Sequence, residues 1–307
     1  MNTPHKPVLY KEIIHALQPK SPGRFIDGTV GAGGHARGVL EACAPDGCLL
    51  GLDLDSQALV LARENLAPYG KRVTLAQASY DSMTEVMNGL GWDAVDGILL
   101  DLGISSMQLD TPERGFSIQN EAPLDMRFNP EIGMSAAQLV NTTAEAELAD
   151  IFFRYGEEPR ARQIAKMIVK ARPVNTTTQL AEIVKRAYPE HSRIHPATRV
   201  FQALRIAVND ELTVVENSLP KAAAALRPGG RLAVISFHSL EDRIVKDFFR
   251  RASQDQINPP YERIYEVERK AILKISNRKP ITPDEDEIKA NPRARSAKLR
   301  VAEKLSE

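Results

Sequence analysis

Asp27, Gly31 and Gly33 fall within one stretch, Phe25-Ile-Asp-Gly-Thr-Val-Gly-Ala-Gly-Gly-His35. An apolar run ends in a carboxylate, and a glycine turn follows before helical spacing begins. A carboxylate four positions ahead of a Gly-x-Gly turn attracts a cationic ligand. S-adenosylmethionine, with an amino group and a sulfonium cation, suits such a turn. Gly31-x-Gly33-x-x-Ala36 also fits the dinucleotide fingerprint, in which helix N-terminal amides hold a pyrophosphate. Asp27 would oppose that anion. A third reading gives the glycines no task beyond a tight turn. Asp53 ends a second apolar run and is placed to accept a pair of ribose hydroxyls in either ligand. Asp55 follows it, and Asp101 ends a further apolar run. Residues 41–150 hold 18 acidic and 5 basic side chains, a balance that favours a cationic ligand.

Such residues need strand ends to hold them. Four strands are predicted over 23–29, 48–53, 72–77 and 97–102, with helices over 35–42 and 56–69 and a short helix near 8–17. This alternation predicts a parallel doubly wound α/β sheet with ligands beyond the carboxyl ends of the strands. After residue 108 the pattern becomes helical. Thr142-Thr-Ala-Glu145 reads as a capping box ahead of a helix over 146–155. Further helices are predicted over 159–171, 178–187 and 197–217. The sheet resumes with a helix end at 222–226, a turn at 227–230, a strand over 231–237 and a helix over 239–252. Stretches 267–276 and 298–303 are candidate last strands, forming an antiparallel pair. The expected organisation is a discontinuous domain, 1–108 and 216–307, interrupted by a helical insertion, 109–215.

Lysine plus arginine and aspartate plus glutamate stand at 40 each in 307 residues, which argues against a generic polyanion binder. The charges segregate, however. Residues 154–205 carry 11 basic and 4 acidic side chains, and 243–300 carry 15 and 9. An acidic ligand pocket with basic stretches elsewhere suits an enzyme acting on nucleic acid, although solvated helix faces give the same counts. Cys43 and Cys48 are expected as buried free thiols, and no metal site is expected. No signal peptide or membrane span is visible, so a cytoplasmic address away from the membrane is expected. The sequence specifies no oligomeric state.

Longer motifs carry a resemblance. They are His5-Lys-Pro-Val-Leu9, Asp27 to His35, Ile98-Leu-Leu-Asp-Leu-Gly-Ile-Ser-Ser-Met-Gln-Leu-Asp110, Glu113-Arg-Gly-Phe-Ser117 and Pro123-Leu-Asp-Met-Arg127. His195-Pro-Ala-Thr-Arg-Val-Phe-Gln-Ala-Leu-Arg205, Ser236-Phe-His-Ser-Leu-Glu-Asp-Arg243 and Asn291-Pro-Arg-Ala-Arg-Ser296 continue the series. In this order, from residue 5 to about residue 303, they resemble the bacterial RsmH (MraW) family. The resemblance implies a class I S-adenosylmethionine-dependent methyltransferase, a Rossmann-like doubly wound sheet with an all-helical inserted domain. It implies methylation of the exocyclic N4 of a cytidine in the decoding centre of 16S ribosomal RNA, within the assembled small subunit. By the same resemblance the cofactor touches Gly33, Gly34, His35, Asp53, Tyr80, Asp101 and Gln108. The family usually has phenylalanine where Tyr80 stands, and either ring can stack on adenine.

The cytosine amino nitrogen shares its lone pair with the ring and is a poor nucleophile. An acceptor for its hydrogens and in-line placement against a methyl group would help it. Many amino methyltransferases put Asn/Asp-Pro-Pro-aromatic after the fourth strand for this purpose. Here the stretch is Asp101-Leu-Gly-Ile-Ser-Ser106, which keeps the carboxylate and lacks the prolines and the aromatic ring. Asp101 is the first catalytic candidate, with Ser105 and Asp125 behind it; a cofactor ligand alone is the other reading of Asp101. The base must be unstacked to react. Phe116 and Phe237 are candidate stacking surfaces. Arg127, His195, Arg199, His238 and Arg243 are candidate substrate contacts, and Arg160, Arg162, Lys166 and Lys170 could grip backbone phosphates. A methyltransferase acting on DNA or another RNA, or a ribosome-assembly factor with a vestigial pocket, are the competing functions.

Overall fold

A computed structural model describes residues 7–188, 195–257, 267–268 and 270–306. His5 and Lys6 of the first motif lie outside the described residues. The chain divides into two compact units. One runs to Gly103 and resumes at Leu212; the other is Ile104–Glu211.

In the first unit α1 (Tyr10–Leu17) precedes β1 (Arg24–Asp27), α2 (Gly34–Ala42), β2 (Cys48–Asp53), α3 (Ser56–Leu66), β3 (Val73–Gln77), α4 (Met83–Gly89) and β4 (Val95–Asp101). Side chains alternate across the strands, so neighbours feed opposite faces. Phe25, Leu49 and Leu99 join one core with α1, α2 and α3. Ile26, Leu50, Ile98 and Leu100 join the other. Both faces are therefore covered, as a parallel sheet requires.

The second unit is helical. It holds α5 (Ser106–Asp110), α6 (Ala136–Thr142), α7 (Glu145–Gly156), α8 (Ala161–Ala171), α9 (Thr177–Lys185) and α10 (Thr198–Asn209). Its own core includes Leu124, Phe152, Ile164, Ile168, Leu180 and Leu204. The Thr142-Thr-Ala-Glu145 capping box does not form. Thr142 ends α6, its hydroxyl donating to the Gln138 carbonyl at 2.8 Å, and Ala144 stands at the N-cap of α7.

The helix expected over 197–217 is two helices. Asp210 takes a left-handed conformation (φ 50°) and ends α10, and α11 (Glu211–Ala225) starts beside it. The sheet then continues with β5 (Leu226–Ser236), α12 (Ser239–Ala252), a short ribbon of β6 (Gln256–Ile257) and β7 (Val267–Glu268), β8 (Leu273–Ile275), α13 (Glu285–Ala290) and β9 (Lys298–Lys304). The turn expected at 227–230 is a bulge inside β5, where the register against β4 jumps between Val95 and Gly97. The strand expected over 267–276 is divided: β7 pairs with β6, while β8 pairs with β9. Helix α4 escaped the sequence, because Met83 and Met87 are its only buried side chains. Cys43 is buried, but Cys48 is half-exposed at the start of β2.

The seven strands lie in the order β3-β2-β1-β4-β5-β9-β8. β1 to β5 pair in parallel; β9 runs antiparallel to both β5 and β8. Strand order reverses between β1 and β4, and ligands of doubly wound sheets bind at that switch point. A doubly wound sheet finished by an antiparallel pair is the class I methyltransferase architecture. Among the described residues no helix is long and apolar enough to cross a membrane.

Candidate cofactor and catalytic site

β1 ends where its chain must leave the sheet. The Val30 amide donates to the Leu52 carbonyl and the Gly33 amide to the Val30 carbonyl, closing the turn. Gly33 caps α2 at φ 85°, and a Cβ there would stand 2.9 Å from Leu66. Both the angle and the space demand glycine. The first amides of α2, beginning at Gly34 and His35, have no acceptor within the helix and suit a carboxylate.

Asp53 braces this turn from β2. Its Oδ2 accepts the Gly31 amide at 2.9 Å and its Oδ1 the Asp55 amide at 2.9 Å. Burial pushes its carboxyl up to about 6, against the pull of those amides. Asp55 caps α3 through the Gln57 amide. Asp27 is buried and accepts the Thr29 amide at 3.1 Å. Burial pushes its carboxyl up to about 7, against His35 and the Thr29 amide.

Asp101, at the end of the adjacent β4, completes the group. Its amide donates to the Thr29 hydroxyl at 2.7 Å. Its Oδ2 lies 3.6 Å from His35 Nε2. Asp101 Oδ1 and both ring nitrogens of His35 are buried without hydrogen-bond partners. Tyr80 follows β3 beside Gly28, where a Cβ would stand 2.8 Å from the tyrosine's own. The sheet-bearing unit thus gathers Asp27, Gly31, Gly33, Gly34, His35, Asp53 and Asp101 about one turn, with Tyr80 on the neighbouring strand end.

Thr29 and Tyr10 were missed by sequence reasoning. Thr29 ties β1 to β4, and the Tyr10 ring lies against His35 at 6.2 Å and 19°. A hydroxyl two residues past the strand-ending Asp27 was the available signal for Thr29. Tyr10 had none, since its spacing reads as helix packing.

Other candidates on this unit have local work. His238 is the N-cap of α12, accepting the Glu241 amide, while Glu241 returns a bond to the Phe237 amide at 2.8 Å. Arg243 is exposed on α12. Phe237 is half-buried against the sheet core.

Within the helical unit, Ser105 and Gln108 form the capping box of α5. Asp125 is clamped by Arg127, with Nη2 2.6 Å from Oδ2 and Nε 3.0 Å from Oδ1. Met126 between them is left-handed (φ 64°). Phe116 is buried and stacked on Phe128 at 6.0 Å. His195 is exposed, its Nδ1 accepting the Ala197 amide at 3.2 Å. Arg199 donates to the Glu157 carbonyl at 3.4 Å. Arg160 bonds the Ala187 carbonyl and covers the Tyr188 ring at 4.7 Å, so it holds the fold. Arg162, Lys166 and Lys170 form an exposed stripe along α8.

Among the described residues Asp27, Asp53 and Asp101 form no ion pair with arginine or lysine, and such carboxylates beside open helix amides fit a ligand carrying a sulfonium, an ammonium and a carboxylate. Fold and site together define a class I methyltransferase. The chain matches the MraW methylase family over residues 2–305 and belongs to it. It is 50% identical over 307 residues to the ribosomal RNA small subunit methyltransferase H of Geotalea uraniireducens (strain Rf4), covering 98% of both chains. The protein of that name from Syntrophotalea carbinolica is 53% identical over 307 residues, again at 98% of both. That from Magnetococcus marinus is 51% identical over 313 residues and covers all of both.

Proposed function

We propose that this enzyme transfers a methyl group from S-adenosylmethionine to the exocyclic N4 of a cytidine in the decoding centre of 16S ribosomal RNA. The observation that carries the reading is full-length identity of 50–53% to relatives named for methylation of small-subunit ribosomal RNA. When bound, the cofactor supplies an electrophilic methyl group on a sulfonium cation. The amides of Gly34 and His35 would hold its carboxylate, Asp53 its ribose hydroxyls and Tyr80 its adenine. Asp27 and Asp101 favour its positive charge. The Asp101 carboxylate would accept a hydrogen of the cytosine amino group, drawing the nitrogen toward tetrahedral geometry, and would take the proton after methylation. Ser105, Gln108 and Asp125 are already engaged in caps and an ion pair, which supports Asp101 ahead of Ser105 and Asp125 as the acceptor.

The helical unit is proposed to carry substrate contacts. Its exposed α8 stripe of Arg162, Lys166 and Lys170 suits backbone phosphates, as do the exposed His195, Arg199 and Arg243. The assembled small subunit is the proposed partner, and the cytoplasm is the compartment that follows from it.

The experiment is methyl transfer from labelled S-adenosylmethionine to small subunits lacking the modification, with nucleoside analysis. Label in N4-methylcytidine is expected. Label in another nucleoside, in DNA only, or nowhere would sink the proposal. Calorimetry supplies a cofactor control: S-adenosylhomocysteine should bind and NAD should not.

A further inference from the structure

We infer that the His35 side chain is a positioning residue that sets the Asp101 carboxylate for reaction. This rests on the proposed methyl transfer and assigns the imidazole a task distinct from cofactor contact. Burying polar atoms without partners is destabilising, and native folds do so rarely. Here three such atoms, both His35 nitrogens and Asp101 Oδ1, occur on two side chains that face each other. Hydrogen bonds at catalytic groups are often long before substrate binds and tighten in the complex. A 3.6 Å separation of Nε2 from Oδ2 is of that kind.

The backbones that carry the pair are held by the fold. The Thr29 hydroxyl holds the Asp101 backbone through its amide at 2.7 Å. Helix α2 carries the His35 backbone, and the Tyr10 ring lies along the imidazole at 6.2 Å and 19°. Helix α1 comes this close because Gly38 lacks a side chain: a Cβ there would stand 2.5 Å from the Tyr10 hydroxyl. The terminal torsion of an aspartate is broad and soft. Turning that torsion brings one carboxylate oxygen onto Nε2–H and leaves the other to meet the amino group. In this role the imidazole acts through Asp101 and not on the reacting nitrogen.

The test uses the full chain with His35→Ala, His35→Gln and His35→Asn. Methyl transfer to subunits lacking the modification gives kcat and KM, and calorimetry gives the Kd for S-adenosylhomocysteine. Glutamine places an N–H near the Nε2 position, whereas asparagine places it near Nδ1. The expected result is a loss in kcat of roughly 10- to 100-fold for Ala and Asn, with Kd within about threefold of the parent. His35→Gln should recover most of the loss. His35→Ala added to Asp101→Asn should cost little more than Asp101→Asn alone, because the two act as a unit. A Kd that rises as far as kcat falls would make His35 a cofactor ligand and overturn the inference. So would an unchanged kcat, or equal losses for Gln and Asn; the Gln-to-Asn contrast decides even where His35→Ala does not fold. An active parent beside an indifferent His35→Ala overturns this inference alone. An inactive parent overturns the methyl-transfer reading, and this inference with it.

Discussion

The sheet-bearing unit holds two sets of buried or half-buried carboxylates that are treated in opposite ways. Asp242 on α12 accepts Arg300 Nε at 2.7 Å and Lys298 Nζ at 3.1 Å. Burial alone would raise its carboxyl, but Arg300 and Lys298 outweigh burial and hold it below the usual range. Asp27 and Asp53, at the carboxyl ends of β1 and β2, are opposed by backbone amides and, for Asp27, His35. Burial wins, and they stand at about 7 and 6. The same residue type thus does two jobs. A carboxylate matched to its cations holds α12 to β9; on the function proposed above, a carboxylate left short of cations would be kept for a ligand that brings one.

Breaking the matched set should have the largest effect. Asp242→Ala leaves Arg300, only 9% exposed, without its carboxylate. Removing one partner from a buried pair costs about 3 kcal/mol of folding stability. Urea denaturation should show this, with the S-adenosylhomocysteine Kd of the folded protein unchanged. An unshifted midpoint would erase the distinction between the two sets.

Asp53→Ala should do the converse, though not cleanly. Cofactor affinity should fall by roughly 1.5–3 kcal/mol for each hydrogen bond removed. Part of the decrease comes from the turn itself, because the Gly31 amide is left without its acceptor. Asp53→Asn keeps an oxygen for that amide and should fall between parent and alanine by calorimetry. Equal affinity for all three would place the ribose elsewhere.

What the sequence revealed followed from strong local signals. Strand ends at Asp27, Asp53 and Asp101 were legible because apolar runs stopped at carboxylates, and glycines marked the turn after β1. The resemblance supplied the chemistry that these residues alone left open. The break at Asp210 was not legible, since helical spacing continues across it and only one residue turns left-handed. The false box at Thr142 had the right letters, but its hydroxyl found the Gln138 carbonyl a turn earlier. Ser105, Asp125 and His238 were identified as chemistry-bearing candidates and Gln108 through the resemblance, and the structure shows each in a cap or an ion pair. Local hydrogen bonding of that kind depends on rotamers, and spacing does not encode them.

The two sets should also respond to pH with opposite signs. Asp27 has a raised folded-state value, so the folded protein binds a proton there that the unfolded chain has released. Between the ordinary aspartate value of 3.8 and about 7 its contribution to stability falls as pH rises, then levels off. Asp242 is lowered, so its contribution is present above the unfolded value and is lost as pH falls through the folded one. Asp27→Asn should remove a slope that approaches about 1.4 kcal/mol per pH unit at its steepest. Denaturation midpoints for parent and variant, taken from pH 4 to 8, measure it. Parallel curves would mean that Asp27 is not carrying the buried charge.

The smallest effect on the fold is expected where charge is neither buried nor matched inside. Arg162, Lys166 and Lys170 recur every fourth residue along the exposed face of α8. Arg160 is excluded from the test, because its bonds with Ala187 and Tyr188 would make its replacement structural. Reversing the three to glutamate should leave the thermal midpoint within a degree or two and cofactor affinity intact, since exposed charges contribute about 0–1 kcal/mol each. If the stripe meets phosphates, binding to small subunits weakens. The dependence of log affinity on log salt then becomes shallower by up to about 0.9 for each phosphate no longer neutralised. A binding curve unchanged in both affinity and salt slope would make the stripe a solvated face. The search for the RNA-binding surface would then move to the exposed Arg293 and Arg295 after α13.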